Sequence, residues 1–339
     1  MATGIGSPPP AAAAVLGPLE VGPRPNATRI EFPLGDRVLA AVDVGTGNLQ
    51  ILTTELALPG ISGDVQLGVT YNSLLLGSGS PVTSAAVGRA WQMRFGEDTK
   101  LVANDDGSVL YLAPEGREGL YQPTSQGASS YTSPAGFKNT LVKTGTGWTL
   151  TEHGSNVVST FNASGRLTQV ADRNGQATTL TYAAGGGQHL TRITSTRGGA
   201  NPRKANFTFV ADKLASVAQT GTDGVTRTAR YTYDTANPDR LKSITDMEGR
   251  VTSFSYGAGA RVASITTPGS RVTNFVYDSS FRLTQITRVN SGGANAVTRL
   301  TYPSGSQTLV AGPNTATSTP VADGPHTAYT LDASKRVTA

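Results

Sequence analysis

Arg250-Val251-Thr252-Ser253-Phe254-Ser255-Tyr256 is the stretch from which the fold follows. Its pattern falls on every second residue, Arg250-x-Thr252-x-Phe254-x-Tyr256, and residues two apart share one face of a strand. The phrase returns as Arg271-x-Thr273-x-Phe275-x-Tyr277 and, more loosely, as Arg227-x-Ala229-x-Tyr231-x-Tyr233. Further copies are Gln176-x-Thr178-x-Leu180-x-Tyr182, Arg203-x-Ala205-x-Phe207-x-Phe209 and Ala296-x-Thr298-x-Leu300-x-Tyr302. The closing aromatics, Tyr182, Phe209, Tyr233, Tyr256, Tyr277 and Tyr302, are spaced 27, 24, 23, 21 and 25 residues apart. A fixed period of this size marks a repeat array, in which each unit packs on its neighbours.

Composition points the same way. The 339 residues include 40 glycines and 19 prolines, with only 37% hydrophobic and 15% charged residues, so turns and short Thr-rich strands are favoured over long helices. The fold class expected is all-β: consecutive β-hairpin repeats forming a spiralling sheet, as an open or partial shell. The net charge of +5 raises nucleic acid as a partner. That partner requires clustered Lys and Arg, whereas Arg240, Arg261 and Arg282 are spread at repeat positions, so no nucleic-acid partner is expected. With no cysteine, disulfides and thiolate metal sites are excluded. No apolar run approaches the roughly 20 residues of a membrane helix, and Ala11–Leu16 has no preceding basic residue to make it a signal peptide.

Along the chain, residues 1–28 read as a Pro/Ala-rich N-terminal tail. Residues 29–151 read as a non-repetitive, β-rich leading module, with good alternation at Val65-x-Leu67-x-Val69-x-Tyr71 and Trp91-x-Met93-x-Phe95. Leu74 to Val87 reads as a loop. Asn104-Asp105-Asp106-Gly107 is a turn before it is a calcium ligand set. Residues 152–339 read as an array of about seven units, incomplete at the C-terminus. Each unit carries a second signal: a basic residue, Leu or Val, then Val or Ile three later, as in Arg240-Leu241-x-x-Ile244 and Arg282-Leu283-x-x-Ile286. That spacing departs from period two, and a β-bulge would reconcile it with a strand. Turns follow at Asp172-Arg173-Asn174-Gly175, Asp223-Gly224, Asp246-Met247-Glu248-Gly249 and Pro268-Gly269.

Tyr231-Thr232-Tyr233-Asp234, then Arg240-Leu241 and Asp246 to Gly249, resembles the YD repeat of the Rhs family. Tyr277-Asp278 with Arg282-Leu283, and Phe161 to Gly175, are similar copies. Val42-Asp43 with Thr46 to Leu49, Val69 to Ser73, and Gly147 to Leu150 resemble the segment that precedes the repeats in bacterial members. The likeness covers about residues 35 to 339. It implies a β-ribbon wound in a spiral, which in longer relatives closes as a hollow shell around a toxic C-terminal polypeptide. Relatives include secreted polymorphic toxins, insecticidal toxin-complex cocoons and the teneurins. Two copies here, Tyr182 to Phe209 and Tyr302 to Tyr329, lack the Tyr-Asp pair. Seven units are few for a closed shell, and neither a self-cleaving core domain nor a toxin follows. The chain therefore reads as the front of a longer protein, or as a short relative that assembles.

No catalytic, cofactor-binding or metal-binding residue is expected, and no cofactor. His153, His189 and His326 stand apart, with His189 read as a surface strand residue, and no phosphate loop or nucleophile elbow is present. The repeat aromatics Tyr182, Phe209, Tyr231, Tyr233, Phe254, Tyr256, Phe275, Tyr277 and Tyr302 read as structural, packed between strands. A sugar-binding ladder is the alternative for the same rings. The function expected is a non-enzymatic scaffold or shell segment, secreted or at the cell surface, with a possible toxin cargo. Its partners are further repeats of its own polypeptide, or another copy stacked on an open β edge around Thr298 to Tyr302. An adhesin is the alternative, and an enzyme with its site in the Leu74 to Val87 loop is the weaker third reading.

Overall fold

The computed structural model describes residues 21–24, 26–58, 65–77, 86–185, 187–196 and 202–339. Among the described residues strands account for 53% and helix for 3%, against the third that is helical in an ordinary domain. Three short 3₁₀ turns, at Ser73–Gly77, Pro114–Gly116 and Ala258–Ala260, are the helical segments among the described residues. The chain is all-β.

Its largest element is a seventeen-stranded antiparallel sheet in which every strand pairs with its neighbours in sequence, from Asn139–Thr144 to Thr327–Thr330. The sheet begins at Asn139, ahead of the 151/152 boundary read from the repeats. Three smaller sheets precede it. One has five strands, running Arg29–Gly35, Val38–Asp43, Leu49–Thr53, Val69–Asn72, Trp91–Met93. One has four, between Lys100–Ala103 and Tyr131–Thr132, and Leu56–Leu58 pairs with Val65–Leu67.

The bulge is present in each repeat. Ser255 pairs with Ser264 but Tyr256 pairs with Val262, so Ala263 has no partner. Lys242 and Thr284 are the equivalent extra residues in their own hairpins. Inserting one residue brings positions n and n+3 to the same face. Leu241 and Ile244, Val262 and Ile265, and Leu283 and Ile286 are accordingly all buried.

That buried face is not hollow. One hydrophobic cluster runs through both parts of the chain, joining Val42, Leu49, Tyr71 and Trp91 of the leading module to Tyr231, Phe254, Val262 and Leu283 of the array. From end to end the module lies along the sheet in broadly reverse order. Leu101 N–H donates to Gly165 O at 2.7 Å, Leu214 N–H to Ala86 O at 2.7 Å and Leu283 N–H to Gly47 O at 2.9 Å. Thr308 Oγ1 donates to Val44 O at 2.7 Å, and Arg24 reaches the carbonyls of Ser334 and Lys335. Gly47 shows how close the two parts come. It sits at φ +72°, where a Cβ would lie 2.6 Å from Arg282 Cβ and 2.7 Å from Tyr302 Oη.

Three expectations are corrected here. Residues 21–28 are not all tail: Val21 is buried, and Arg24 forms a buried ion pair with Asp43 at 2.8 Å; residues 1–20 and 25 lie outside the described residues. Within Leu74 to Val87, the first residues belong to a 3₁₀ turn and Ala86 and Val87 are buried, with 78–85 outside the described residues. The strand Ala296–Ser304 is no edge, because Gln307–Ala311 pairs with it and Thr327–Thr330 pairs beyond that. The last strand is itself partly covered: Thr330 N–H donates to Ala339 O at 2.7 Å and Thr338 N–H to Thr330 O at 2.8 Å. At the opposite side, Lys143 N–H donates to Ser129 O at 2.6 Å.

Candidate functional site: the seam between module and array

A bulge leaves backbone groups without ladder partners, and buried backbone groups must find others. The repeat residues supply donors for the carbonyls of the bulges. Tyr182 Oη donates to Leu167 O at 2.9 Å, Tyr256 to Leu241 O at 2.7 Å, Tyr277 to Val262 O at 2.8 Å and Tyr302 to Leu283 O at 2.6 Å. Tyr233 Oη lies 2.9 Å from Leu214 O and 3.0 Å from Ala86 O. Each closing tyrosine thus holds the bulge carbonyl of the hairpin before it. Burial is the first cause holding these phenols neutral, pushing their pKa above the usual tyrosine range.

The leading module supplies acceptors for the N–H groups of the bulges. Besides Ala86 O and Gly47 O, Tyr71 Oη accepts from Val262 N–H at 3.3 Å, and a Glu97 carboxylate oxygen accepts from Leu190 N–H at 2.9 Å. Trp91 Nε1–H donates to Tyr256 Oη at 3.0 Å. The seam is therefore a row of bulges, clamped by a phenol from the array in every unit but that of Phe209, and in several units also by a group from the module.

The basic residue before each bulge lies over the same ring. Arg166 stands 5.5 Å from the Tyr182 centroid, Lys213 5.8 Å from Tyr233, and Arg240 5.7 Å from Tyr256. Arg261 is 5.9 Å from Tyr277 and Arg282 is 4.4 Å from Tyr302. These are cation–π contacts. One unit departs in both residues together: Phe209, without a hydroxyl, stacks on His189 at 4.1 Å and 11°. His189 is thereby half-buried against Glu97 and Asp212 rather than a free surface residue, which corrects its reading.

The aspartate of the Tyr-Asp pair closes the next turn. Asp278 Oδ1 accepts from Ser280 N–H at 2.9 Å and Arg282 N–H at 3.0 Å, while Oδ2 accepts from Arg282 Nε–H at 2.7 Å. Asp246 does the same for Glu248 and Arg250, and Asp332 repeats the bonds to Arg336. Hydrogen bonds from the following turn hold Asp246 and Asp332 below the usual carboxylate range; burial opposes them and is the largest single influence on Asp246. Asp106 likewise serves its own turn, accepting from Ser108 N–H at 2.9 Å and Ser108 Oγ–H at 2.6 Å. Among the described residues no three His, Asp or Glu side chains are grouped to hold a metal ion.

The remaining sequence-singled aromatics, Tyr231, Phe254 and Phe275, are buried on the same face. The outward neighbours Thr232, Ser255 and Val276 are exposed. Phe254 meets Trp91 edge-on at 4.8 Å, and Tyr231 Oη donates to Glu55 Oε2 at 2.9 Å. Glu55, like Glu97, is an ionisable group of the seam that the repeats do not foretell. Burial, first among its influences, pushes its carboxyl up to about 7, against the opposing pull of the Thr53 and Tyr231 hydrogen bonds and Arg94. It borders a cleft of about 260 Å³ whose mouth holds Arg37, Asp246 and Arg250. Those charges neutralise one another: Arg250 Nε is 2.8 Å from Asp246 and Arg37 Nη2 is 2.8 Å from Glu248.

Replacing Tyr256 with Phe leaves both the Leu241 carbonyl and the Trp91 indole N–H unpaired. A loss of about 2 kcal/mol is expected. The reverse change at the variant unit, Phe209→Tyr, is expected to cost less than about 0.5 kcal/mol if the ring stays in place. Chemical denaturation of both variants checks the pair.

No protein family and no curated protein matches the chain. Solved structures resemble it at low identity. A crystal structure of TcdB2-TccC3 without its hypervariable C-terminal region aligns with TM-score 0.38 and 13% identity, over 88% of this chain and 16% of that one. TcdB2-TccC3-Cdc42 aligns with TM-score 0.35 and 14% identity, over 88% and 15%. A structure of the Photorhabdus luminescens Tc holotoxin pore aligns with TM-score 0.32 and 13% identity, over 87% and 20%. This chain spans less than two thirds of each of those chains.

Proposed function

We propose that the chain is a non-enzymatic wall segment of the Rhs/YD-repeat kind, at the closed end of a β-shell that encloses or presents a polypeptide cargo. The observation that carries this is the seam. The recurring tyrosines, the Asp residues that close turns and most of the basic residues before the bulges are occupied in joining hairpins to one another or to the module. A residue set used this way builds a wall and leaves no recurring group for turnover. The reading of the aromatics as a sugar ladder loses its ground, because these rings face the core.

Because the leading module fills the inner face, cargo lies beyond this segment, not against it. Secretion or cell-surface placement belongs to the same proposal; no helix among the described residues is long and apolar enough to cross a membrane. The strand Thr327–Thr330 is where another strand, from the same polypeptide or a second copy, would pair. Light scattering on the chain is expected to show self-association that Ala328→Pro reduces. A monomer at every concentration would remove the edge from the proposal.

The test of the shell uses the chain in its native reading frame, with a protease-sensitive polypeptide fused after the last repeat. Protection of that passenger from added protease, lost when Trp91→Ala opens the seam, supports the reading. Equal cleavage in both forms would overturn it.

A further inference from the structure

We infer that the outer face of the repeat sheet is a docking surface for a linear acidic polysaccharide. Fifteen consecutive strands, from Val158–Asn162 to Thr327–Thr330, contain no Asp or Glu. The carboxylates of this region, Asp212, Asp223, Asp234, Asp239 and Asp246 among them, all sit in turns at the strand ends. Cations do occur in the strands. Arg192, Lys204, Arg230 and Lys242 are exposed, and none has an acidic partner among the described residues.

The pairing register places these four together. Arg192 lies opposite Asn206, two residues from Lys204 on the adjacent strand. Arg230 pairs with Ser216 and Thr245, and Ser216 pairs with Thr208. Lys242 is the extra residue of the bulge in Leu241–Thr245 and projects outward beside Thr232 and Ser243. The four cations therefore lie within five adjacent strands, a width of about 20 Å across the strands at the usual spacing, and are offset from one another by several residues along them.

What lies between them is hydroxyl. Thr208, Thr232 and Ser243 occupy the outward positions, and Thr232 and Ser243 share a hydrogen bond of 2.7 Å. Cations at intervals among hydroxyl groups complement a chain that carries carboxylate or sulfate groups among its own hydroxyls. The same face argues against nucleic acid. Single strands are held largely by stacking on aromatic rings, and every ring of these strands turns to the core. Clustered cations without opposing acids on the same face raise the local concentration of a polyanion.

The experiment uses the whole chain, with polygalacturonate and heparin as probes and dextran, polyglutamate and a single-stranded oligonucleotide as comparisons. Binding to the two acidic glycans is expected, and weakens with salt. The variant carrying Arg192→Gln, Lys204→Gln, Arg230→Gln and Lys242→Gln should bind about tenfold or more weakly, with a flatter salt dependence, because four counterion-releasing contacts are gone. A control carrying Lys138→Gln, Lys143→Gln, Arg173→Gln and Arg271→Gln has the same net charge and should bind as the parent does. All eight positions are exposed, and far-UV circular dichroism verifies that both variants fold. Equal weakening in the control overturns the proposal, since net charge alone would then explain it. So does binding to polyglutamate or the oligonucleotide as tight as to polygalacturonate, or no binding to either acidic glycan.

Discussion

A chain carrying Trp91→Ala is expected to lose about 4 kcal/mol of stability, the range for emptying a large aromatic from a packed core. Trp91 is fully buried, 5.3 Å from the Tyr71 ring and 4.8 Å from Phe254, and its indole N–H holds Tyr256 Oη. It joins the leading module to the repeat aromatics of the array. Phe254→Ala alone should cost about 3 kcal/mol. The double variant should cost about 1 kcal/mol less than the sum, because the edge-to-face contact is lost only once. Guanidinium titrations of the four proteins measure this. Strict additivity would mean that the two rings do not touch.

The second large effect is set by pH. Glu55 has a carboxyl pushed up to about 7 in the folded chain, against an ordinary value of 4.5. The folded state therefore holds the proton more tightly than the unfolded state. Its contribution to stability is fully present below about pH 4.5 and is lost as the pH rises through 7. The difference is on the order of 3 kcal/mol. Glu55→Gln keeps an acceptor for the Tyr231 hydroxyl and cannot ionise, so the difference in unfolding free energy between parent and variant should change by that amount between pH 4.5 and pH 8.5. Parallel curves for the two proteins would show that the Glu55 carboxyl is solvated.

Much of the repeat sheet was legible from spacing. The alternation around Phe254 and Tyr256 gave the inward face, and the Leu-x-x-Ile interval called for a bulge that the register of each hairpin contains. The roles of Tyr256 and Asp278 were not legible. A hydroxyl that holds a carbonyl fifteen residues away, and a carboxylate that closes a turn, leave only identity at a fixed period. Their partners appear once strands are paired. The paired change of Tyr to Phe and Arg to His at Phe209 and His189 was the one sequence signal that these residues touch. Least legible was the leading module, whose contacts with the array follow no period. Gly47 and Ala86 meet Leu283 and Leu214 through their backbone carbonyls, and Glu97 meets Leu190 through its carboxylate, in a geometry that composition does not encode. Glu55, one acid among 23 acidic residues, stood out only when Tyr231 and the surrounding burial were in place.

The reversed course of the module along the sheet bears on how the chain is made. Residues near Leu101 meet their partner at Gly165 soon after leaving the ribosome, whereas Arg24 waits for Lys335, which emerges 311 residues later. At translation rates of about 5–20 residues per second, that interval lasts roughly 15–60 s. Throughout it Val42, Leu49 and Ile51, buried in the finished protein, lack the later hairpins. Later hairpins broadly cover parts of the module nearer the N-terminus, so the contacts of Gly47, Val44 and Arg24 are completed late. A chaperone that binds early apolar strands would act on residues 29–53, and a stall late in synthesis would leave that stretch bare.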